Sequence, residues 1–265
     1  WRRASERKPA DMGVFLKYLL VGGAVAAALA RAGLPEWPLR AVLPDEVARE
    51  VAWWDQPVRW AALYSSVSLF SLAGLFVLRK GDTIIGKSAG TGKIPLWSYL
   101  VFWPFHITNV LAIYSKRFFF RRHIPDATEV VPNFYIGGWF ADWSDVKWHA
   151  IVDLTTEFPQ RSSATAYLNV PTWDGNPPAV PNINRAAHYI AKNAQQGPTL
   201  THCASGIGRS ACVLCAALVV AGHADDYLAA LKLIQSKRPI VRLNAKMRAA
   251  LDEWQALHRA ANKSE

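Results

Sequence analysis

Between Thr199 and Val220 the sequence reads TLTHCASGIGRSACVLCAALVV, and this stretch restricts the fold most. A short β-type run (199–203) is followed by a polar, glycine-containing loop and then by an apolar run of helical length. Gly206 and Gly208 permit a tight turn whose amides converge on one point, and the helix that follows adds its own N-terminal donors and positive dipole end. Such a cradle, lined by Ala204, Ser205, Gly206, Ile207 and Gly208, suits a tetrahedral dianion. Cys203 opens the loop and falls at its floor. There the helix end and Arg209 favour the thiolate and predict a pKa lowered towards roughly 3.5–7.5. Arg209 can grip two oxygens of the anion in a bidentate fork. Ser210 can donate to the sulfur when it must depart as thiolate, and His202 can orient the loop backbone.

The flanking sequence supplies a sheet and its cover. β-type runs occur at 130–138, 149–155 and 166–171, and they alternate with helical patterns at 182–196, 208–222, 225–236 and 245–261. In the first helix Ile183, Ala186, Ala187, Ile190 and Ala191 recur at helical spacing, leaving Asn184, Arg185 and Lys192 for solvent. Strands alternating with helices predict an α/β domain with a central sheet flanked by helices, over residues 124–265. Cys212 and Cys215 form a C-x-x-C among Ala, Val and Leu, a setting that favours apolar packing over redox pairing. Three clustered cysteines cannot make a disulfide framework, which points to a reducing compartment.

The stretch HCASGIGRS closely resembles the signature of the cysteine-dependent dual-specificity and protein tyrosine phosphatases, and the resemblance extends over about residues 126–260. It implies catalysis through a phosphocysteine by Cys203, with Arg209 binding the phosphoryl group, and it requires neither metal nor cofactor. It also implies an aspartate acid on a loop a few tens of residues upstream. Asp174, 29 residues before Cys203 in NVPTWDGNPP, fits that position. Asp153, inside a β-type run, competes but reads as structural. SKRPIVRLN resembles the family's segment after the penultimate helix, making Arg238 and Asn244 candidate supports for the site.

Residues 1–123 read differently. They hold 17 Lys and Arg against 8 Asp and Glu, whereas 124–265 hold 13 against 12, so nearly all of the net +10 lies in the N-terminal half. That distribution disfavours nucleic acid and favours anionic lipid, because the long apolar runs lie in the same half. Residues 60–78 and 94–115 contain no charge over 19 and 22 residues, enough to cross a bilayer core of about 30 Å. Residues 14–30 form a weaker run interrupted by Lys17. Trp53, Trp54, Trp60, Trp97 and Trp103 sit near the ends of these runs, where headgroup-level aromatics gather. Pro104 predicts a kink or re-entrant break in the third run, with His106 beside it as a packing residue.

The expectation is a helical membrane domain of two to three spans at 1–123, in a multi-pass protein of a bacterial inner membrane or an organelle membrane. The positive-inside rule places Arg2, Arg3, Arg7, Lys8 and the loop 79–93 on one side, which two spans satisfy. A third span would place KRFFFRRH (116–123) and the catalytic half on the other. GKSAGTGKI, within 79–93, is not a Walker loop: Lys87 stands where a glycine is needed, and Ile94 where a Ser or Thr is needed. A flexible basic connector is the expectation there. The chain opens on Trp1 and reads as processed or truncated.

For the substrate, the variable cradle positions are Ala204, Ser205, Ile207 and Gly208, all neutral. Lipid phosphatases of the resembling superfamily often carry Lys or Arg there to hold polyphosphorylated headgroups. A single phosphomonoester is therefore expected. The domain resembles mitochondrial-type phosphatidylglycerophosphate phosphatases, although it lacks their usual basic residue in the loop. The whole chain resembles bacterial membrane proteins ending in a dual-specificity phosphatase domain. Three functions follow: a lipid phosphomonoester phosphatase working at the bilayer, a phosphatase of membrane phosphoproteins, or a non-catalytic subunit of a larger membrane assembly.

Overall fold

A computed structural model describes residues 20–25, 27–28, 45–78, 80–120, 123–161 and 164–262. The chain divides into two compact units, Trp1–Lys80 with Phe102–Ile107, and Gly81–Val101 with Thr108–Glu265.

In the first unit the main element is α1, Asp45–Val77, with Pro57 inside it. Its Trp60–Val77 portion has a mean hydropathy of 1.6, with one third of its residues buried. Among the described residues it is the one helix long and apolar enough to cross a membrane. Leu69, Leu72, Ala73 and Phe76 are buried, while Leu63, Val67, Phe70 and Val77 are exposed. Ser66 donates to Ala62 O at 3.1 Å and to Gly22 O at 3.2 Å, tying α1 to the helical residues 20–25. The run at 14–30 otherwise lies largely outside the described residues.

The run at 94–115 is not one helix. It is divided into α2, Leu96–Val101, and α3, Trp103–Ser115, with Phe102 between them. Pro104 explains the division, since it has no N–H to donate and disfavours a helical residue before it. It is tolerated at the second position of α3, where an N–H has no intrahelical acceptor. At about 1.5 Å per residue, the 13 residues of α3 fall short of a bilayer core. A π-helical turn, Lys116–Phe120, follows.

The second unit is built on a five-stranded sheet: β1 Ala127–Val131, β2 Phe134–Gly137, β3 Ala150–Thr155, β4 Ala166–Thr172 and β5 Thr199–His202. The strand order is β1-β2-β5-β3-β4, antiparallel only between β1 and β2. The run at 130–138 is therefore a hairpin rather than one strand. The chain reverses at Asn133, whose φ of 67° is left-handed and suited to asparagine. A 3-10 turn, Trp139–Trp143, follows β2.

The covering helices are α4 Val180–Ala194, α5 Arg209–Val220, α6 Tyr227–Lys237 and α7 Ala245–Ala261. Ile183, Ala186, Ala187 and Ile190 are the buried stripe of α4, as the spacing predicts. Every residue of α5 from Arg209 to Leu218 is buried, so this helix is the centre of the core. Cys212 and Cys215 pack within it, and burial raises both thiols, Cys212 to about 12. They are thiols at neutral pH and poor nucleophiles. Because β5 is the central parallel strand, the loop joining it to α5 emerges at the carboxyl end of the sheet, where ligands of such sheets bind.

The 81–93 loop is not a free connector. Gly81, Gly86 and Gly92 take φ of 73°, 72° and 63°, and Ile85 is fully buried. A Cβ at Gly86 would run into the Trp97 ring, so this turn is shaped as well as bent. The loop's middle residue, Lys87, has a side chain only 1% accessible, and its Nζ lies 2.5 Å from Asp153 Oδ2 on β3.

Candidate active site

The cradle is assembled from outside. The carbonyls of Ala204, Gly206 and Ile207 accept from Trp139 N (3.2 Å), Arg238 Nε (3.1 Å) and Arg242 N (3.2 Å). Carbonyls turned outwards leave the intervening amides facing inwards. None of the hydrogen bonds of the described residues takes the amides of Gly206, Ile207 or Gly208. Gly206 has a φ of 65°, and a Cβ there would lie 2.6 to 2.8 Å from the backbone of Gly137 and Gly138. No side chain fits, because the loop is pressed against the end of β2. Arg238 also donates to Pro125 O (2.7 Å) and Thr128 Oγ1 (2.9 Å), bracing the loop against the start of β1.

Cys203 lies at the floor, buried, with Sγ 3.3 Å from Ser210 Oγ. Burial alone would push its pKa up; the Arg209 charge and hydrogen bonding from Ser210 outweigh burial and the opposing Asp174, leaving the thiol below its ordinary value. Alkylation of Cys203 by a small haloacetate should therefore titrate with a midpoint below that of a free thiol. Ser210→Ala removes a donor to the thiolate and should move that midpoint upwards. An unchanged midpoint would mean that Ser210 does not stabilise the charge.

Arg209 is fully buried and held by the ends of β3 and β4 and by the segment after β3. Nη1 donates to Leu154 O (3.1 Å), Thr172 O (2.6 Å) and Glu157 Oε2 (3.1 Å), and Nη2 donates to Glu157 Oε1 (2.7 Å). Nη2 also lies 3.1 Å from Asp174 Oδ1. Burial works against the guanidinium charge, but Glu157, then Asp174 and Cys203, hold its pKa above the ordinary value. Its Nε is buried without a partner, a donor left for an anion in the cradle.

Asp174 lies between β4 and α4 on a turn with Gly175 at φ 89°, and its side chain is 37% accessible. Asn244 supports this turn: Nδ2 donates to Gly175 O (2.8 Å), while Oδ1 caps α7 by accepting from Met247 N (2.9 Å). His202 is fully buried; neither ring nitrogen has a hydrogen-bond partner, and Nε2 lies 3.8 Å from Asp153 Oδ1. The structure thus brings together Cys203, Ser210, Arg209 and Asp174, with Arg238 and Asn244 behind them. It turns His202 towards the neighbouring strand rather than the cradle. Sequence reasoning missed Glu157 and Lys87. Glu157 had one signal, an acidic residue just beyond a largely apolar β-type run, where a buried cation needs a partner.

Residues 141–256 match the family described as dual specificity phosphatase, catalytic domain. That segment, less than half of the chain, is similar to the catalytic domains of cysteine-dependent phosphatases. Over 60 residues the chain is 42% identical to rat (Rattus norvegicus) dual specificity protein phosphatase 18, a match covering 23% of this chain and 29% of that curated relative's length. Among solved structures, human DUSP28 is similar with 19% identity and a TM-score of 0.44, over 51% of this chain and 96% of that one. A structure of PTPMT1 in complex with PI(5)P is similar with 16% identity and a TM-score of 0.46, over 52% and 99%. No group of three or more His, Cys, Asp or Glu side chains suited to a metal occurs among the described residues.

Proposed function

We propose that the chain is a membrane-anchored phosphomonoester phosphatase that acts on a lipid phosphate at the bilayer surface. The Cys203 thiolate attacks phosphorus, the bond to the leaving oxygen breaks, and Asp174 gives that oxygen its proton. Water then attacks the phosphocysteine, the sulfur departs as thiolate facing Ser210, and inorganic phosphate is released. Arg209 and the cradle amides hold the phosphoryl oxygens throughout.

The observation that carries the lipid reading is a cleft beside the cradle. Lys116 and Arg117, at the head of the basic-aromatic run, line it together with Phe140, Ala204 and Ser205. Beyond them Phe118 and Phe119 are 67% and 73% accessible. On α2, Leu96 and Leu100, one helical turn apart, are 74% and 69% accessible, with Trp97 and Val101 also exposed. Large apolar side chains are rarely left so exposed in soluble monomers unless they meet a membrane or a partner. Cations with aromatics and leucines suit an anionic lipid surface. The Trp60–Val77 helix supports anchoring, and the neutral cradle supports a single phosphomonoester.

The family match, with its dual-specificity description, favours a second reading: a phosphatase of membrane phosphoproteins. The two separate on one assay. Purified chain should release phosphate from phosphatidylglycerophosphate or phosphatidate in anionic vesicles, and Cys203→Ser should not. Cys203-dependent turnover of phosphopeptides without turnover of either lipid overturns the lipid reading. No Cys203-dependent release from any substrate overturns both.

A further inference from the structure

The family-matched segment begins at residue 141, yet one side chain buried in its core comes from far upstream. Lys87 reaches β3 from the loop preceding α2, and all three of its ammonium hydrogens are used. Nζ donates to Asp153 Oδ2 (2.5 Å), Thr155 O (2.9 Å) and Thr155 Oγ1 (2.9 Å). The loop that delivers it is anchored on both sides of the lysine. Ile85 is buried beside it, and Gly92 O accepts from Gln160 N at 2.9 Å. A Cβ at Gly92 would overlap the Tyr167 hydroxyl and Gln160, so the loop lies directly on the domain.

Asp153 is saturated in return. Oδ2 also accepts from Tyr167 Oη (3.0 Å), and Oδ1 accepts from the Thr155 amide and hydroxyl, both at 2.7 Å. Thr155 is thus gripped through its amide, its carbonyl and its hydroxyl. The segment it anchors is the one that holds Arg209. Leu154 O binds the guanidinium, and two residues beyond Thr155, Glu157 binds it at both ends. The same segment is stacked from the far side, where the Phe158 and Trp139 rings lie 4.5 Å apart.

We infer that Lys87 is a positioning residue of the phosphatase reaction. By pinning Asp153 and Thr155 it fixes segment 153–157, and with it the Glu157 carboxylate that aims Arg209 into the cradle. This rests on the phosphatase reading but not on the lipid one. A buried ion pair by itself is weak evidence of anything but local structure. Here the lysine grips two residues at the root of the arginine's own support, and misplacement of a catalytic group by about 1 Å can cost about 100-fold in rate.

The test uses the full chain and a soluble aryl phosphate, which needs neither vesicle nor peptide. Wild type and Cys203→Ser establish first that turnover is cysteine-dependent; without that, the phosphatase reading itself has failed. The variants are Lys87→Met, Lys87→Met with Asp153→Asn, which removes the unpaired buried charge, and Thr155→Val. Each is assayed well below its measured unfolding midpoint. Expected is a fall in kcat of about tenfold or more in the Lys87 variants, with weaker inhibition by inorganic phosphate, even where the double variant regains the wild-type midpoint. A folded Lys87 variant with wild-type kcat overturns the proposal. So does a double variant that regains kcat along with its midpoint, since that is what a merely structural role predicts. Should neither Lys87 variant fold, Thr155→Val decides: lowered kcat with an intact midpoint supports the inference, and wild-type kcat overturns it.

Discussion

Replacing Cys203 by serine is expected to remove turnover of any phosphomonoester, by about 10⁵- to 10⁶-fold, while leaving phosphate binding in place. The thiol works because its environment lets it ionise: the Arg209 charge and Ser210 outweigh the cost of burial. A serine hydroxyl starts with far less tendency to ionise and needs a base to take its proton. Among the described residues the nearby groups are otherwise engaged, Asp174 by Arg209. His202 faces Asp153 on the neighbouring strand, and Glu157 is committed to Arg209. The cradle is made by backbone amides and by carbonyls bound from behind, so the substitution should leave its shape intact. Steady-state assay and titration of inorganic phosphate by calorimetry check both halves. Turnover within tenfold of wild type would overturn the assignment of the nucleophile.

Arg209→Lys is the second large effect, with an expected loss of about 10³-fold or more in kcat/KM, within the span seen for a phosphoryl-gripping arginine. The charge is kept, but the fork is not. The guanidinium meets Glu157 through both terminal nitrogens, two carbonyls through one of them and Asp174 through the other, while Nε remains for an anion. One ammonium cannot satisfy these directions together, and Glu157, nearly fully buried, would lose part of its partner. Stability should fall as well, up to about 3–5 kcal/mol if the pair is effectively broken. Kinetics with the aryl phosphate and a thermal melt measure the two effects. Near-native kcat/KM would mean that charge alone, and not the planar fork, binds the phosphoryl group.

The geometry around Cys203 was legible because it is local. Cys203, Gly206, Arg209 and Ser210 lie within eight residues, and spacing along one strand–loop–helix turn sets their geometry. Arg238 and Asn244 were readable only through the family resemblance; what each holds, Gly206 O and Gly175 O, depends on how distant segments pack. Glu157 is 52 residues from its partner, and no period or motif joins them. Lys87 was hidden by its own surroundings. Glycine-rich sequence around a lysine reads as slack, yet Gly81, Gly86 and Gly92 hold left-handed turns that stiffen the loop. The run at 94–115 is uncharged throughout, yet it is divided into two helices at Phe102, the break that Pro104 predicts.

The loop that carries Lys87 also bears on how portable such a domain is. The sheet begins at β1 and the family match at residue 141, so both begin well downstream of the lysine. A trim made between that loop and β1 would keep all five strands yet carry Asp153 away without its counter-charge, buried in β3. Such a fragment would keep every signature residue and lose the cation beneath them. The folding unit that keeps Asp153 paired therefore reaches upstream to the 81–93 loop and is longer than the family-matched stretch.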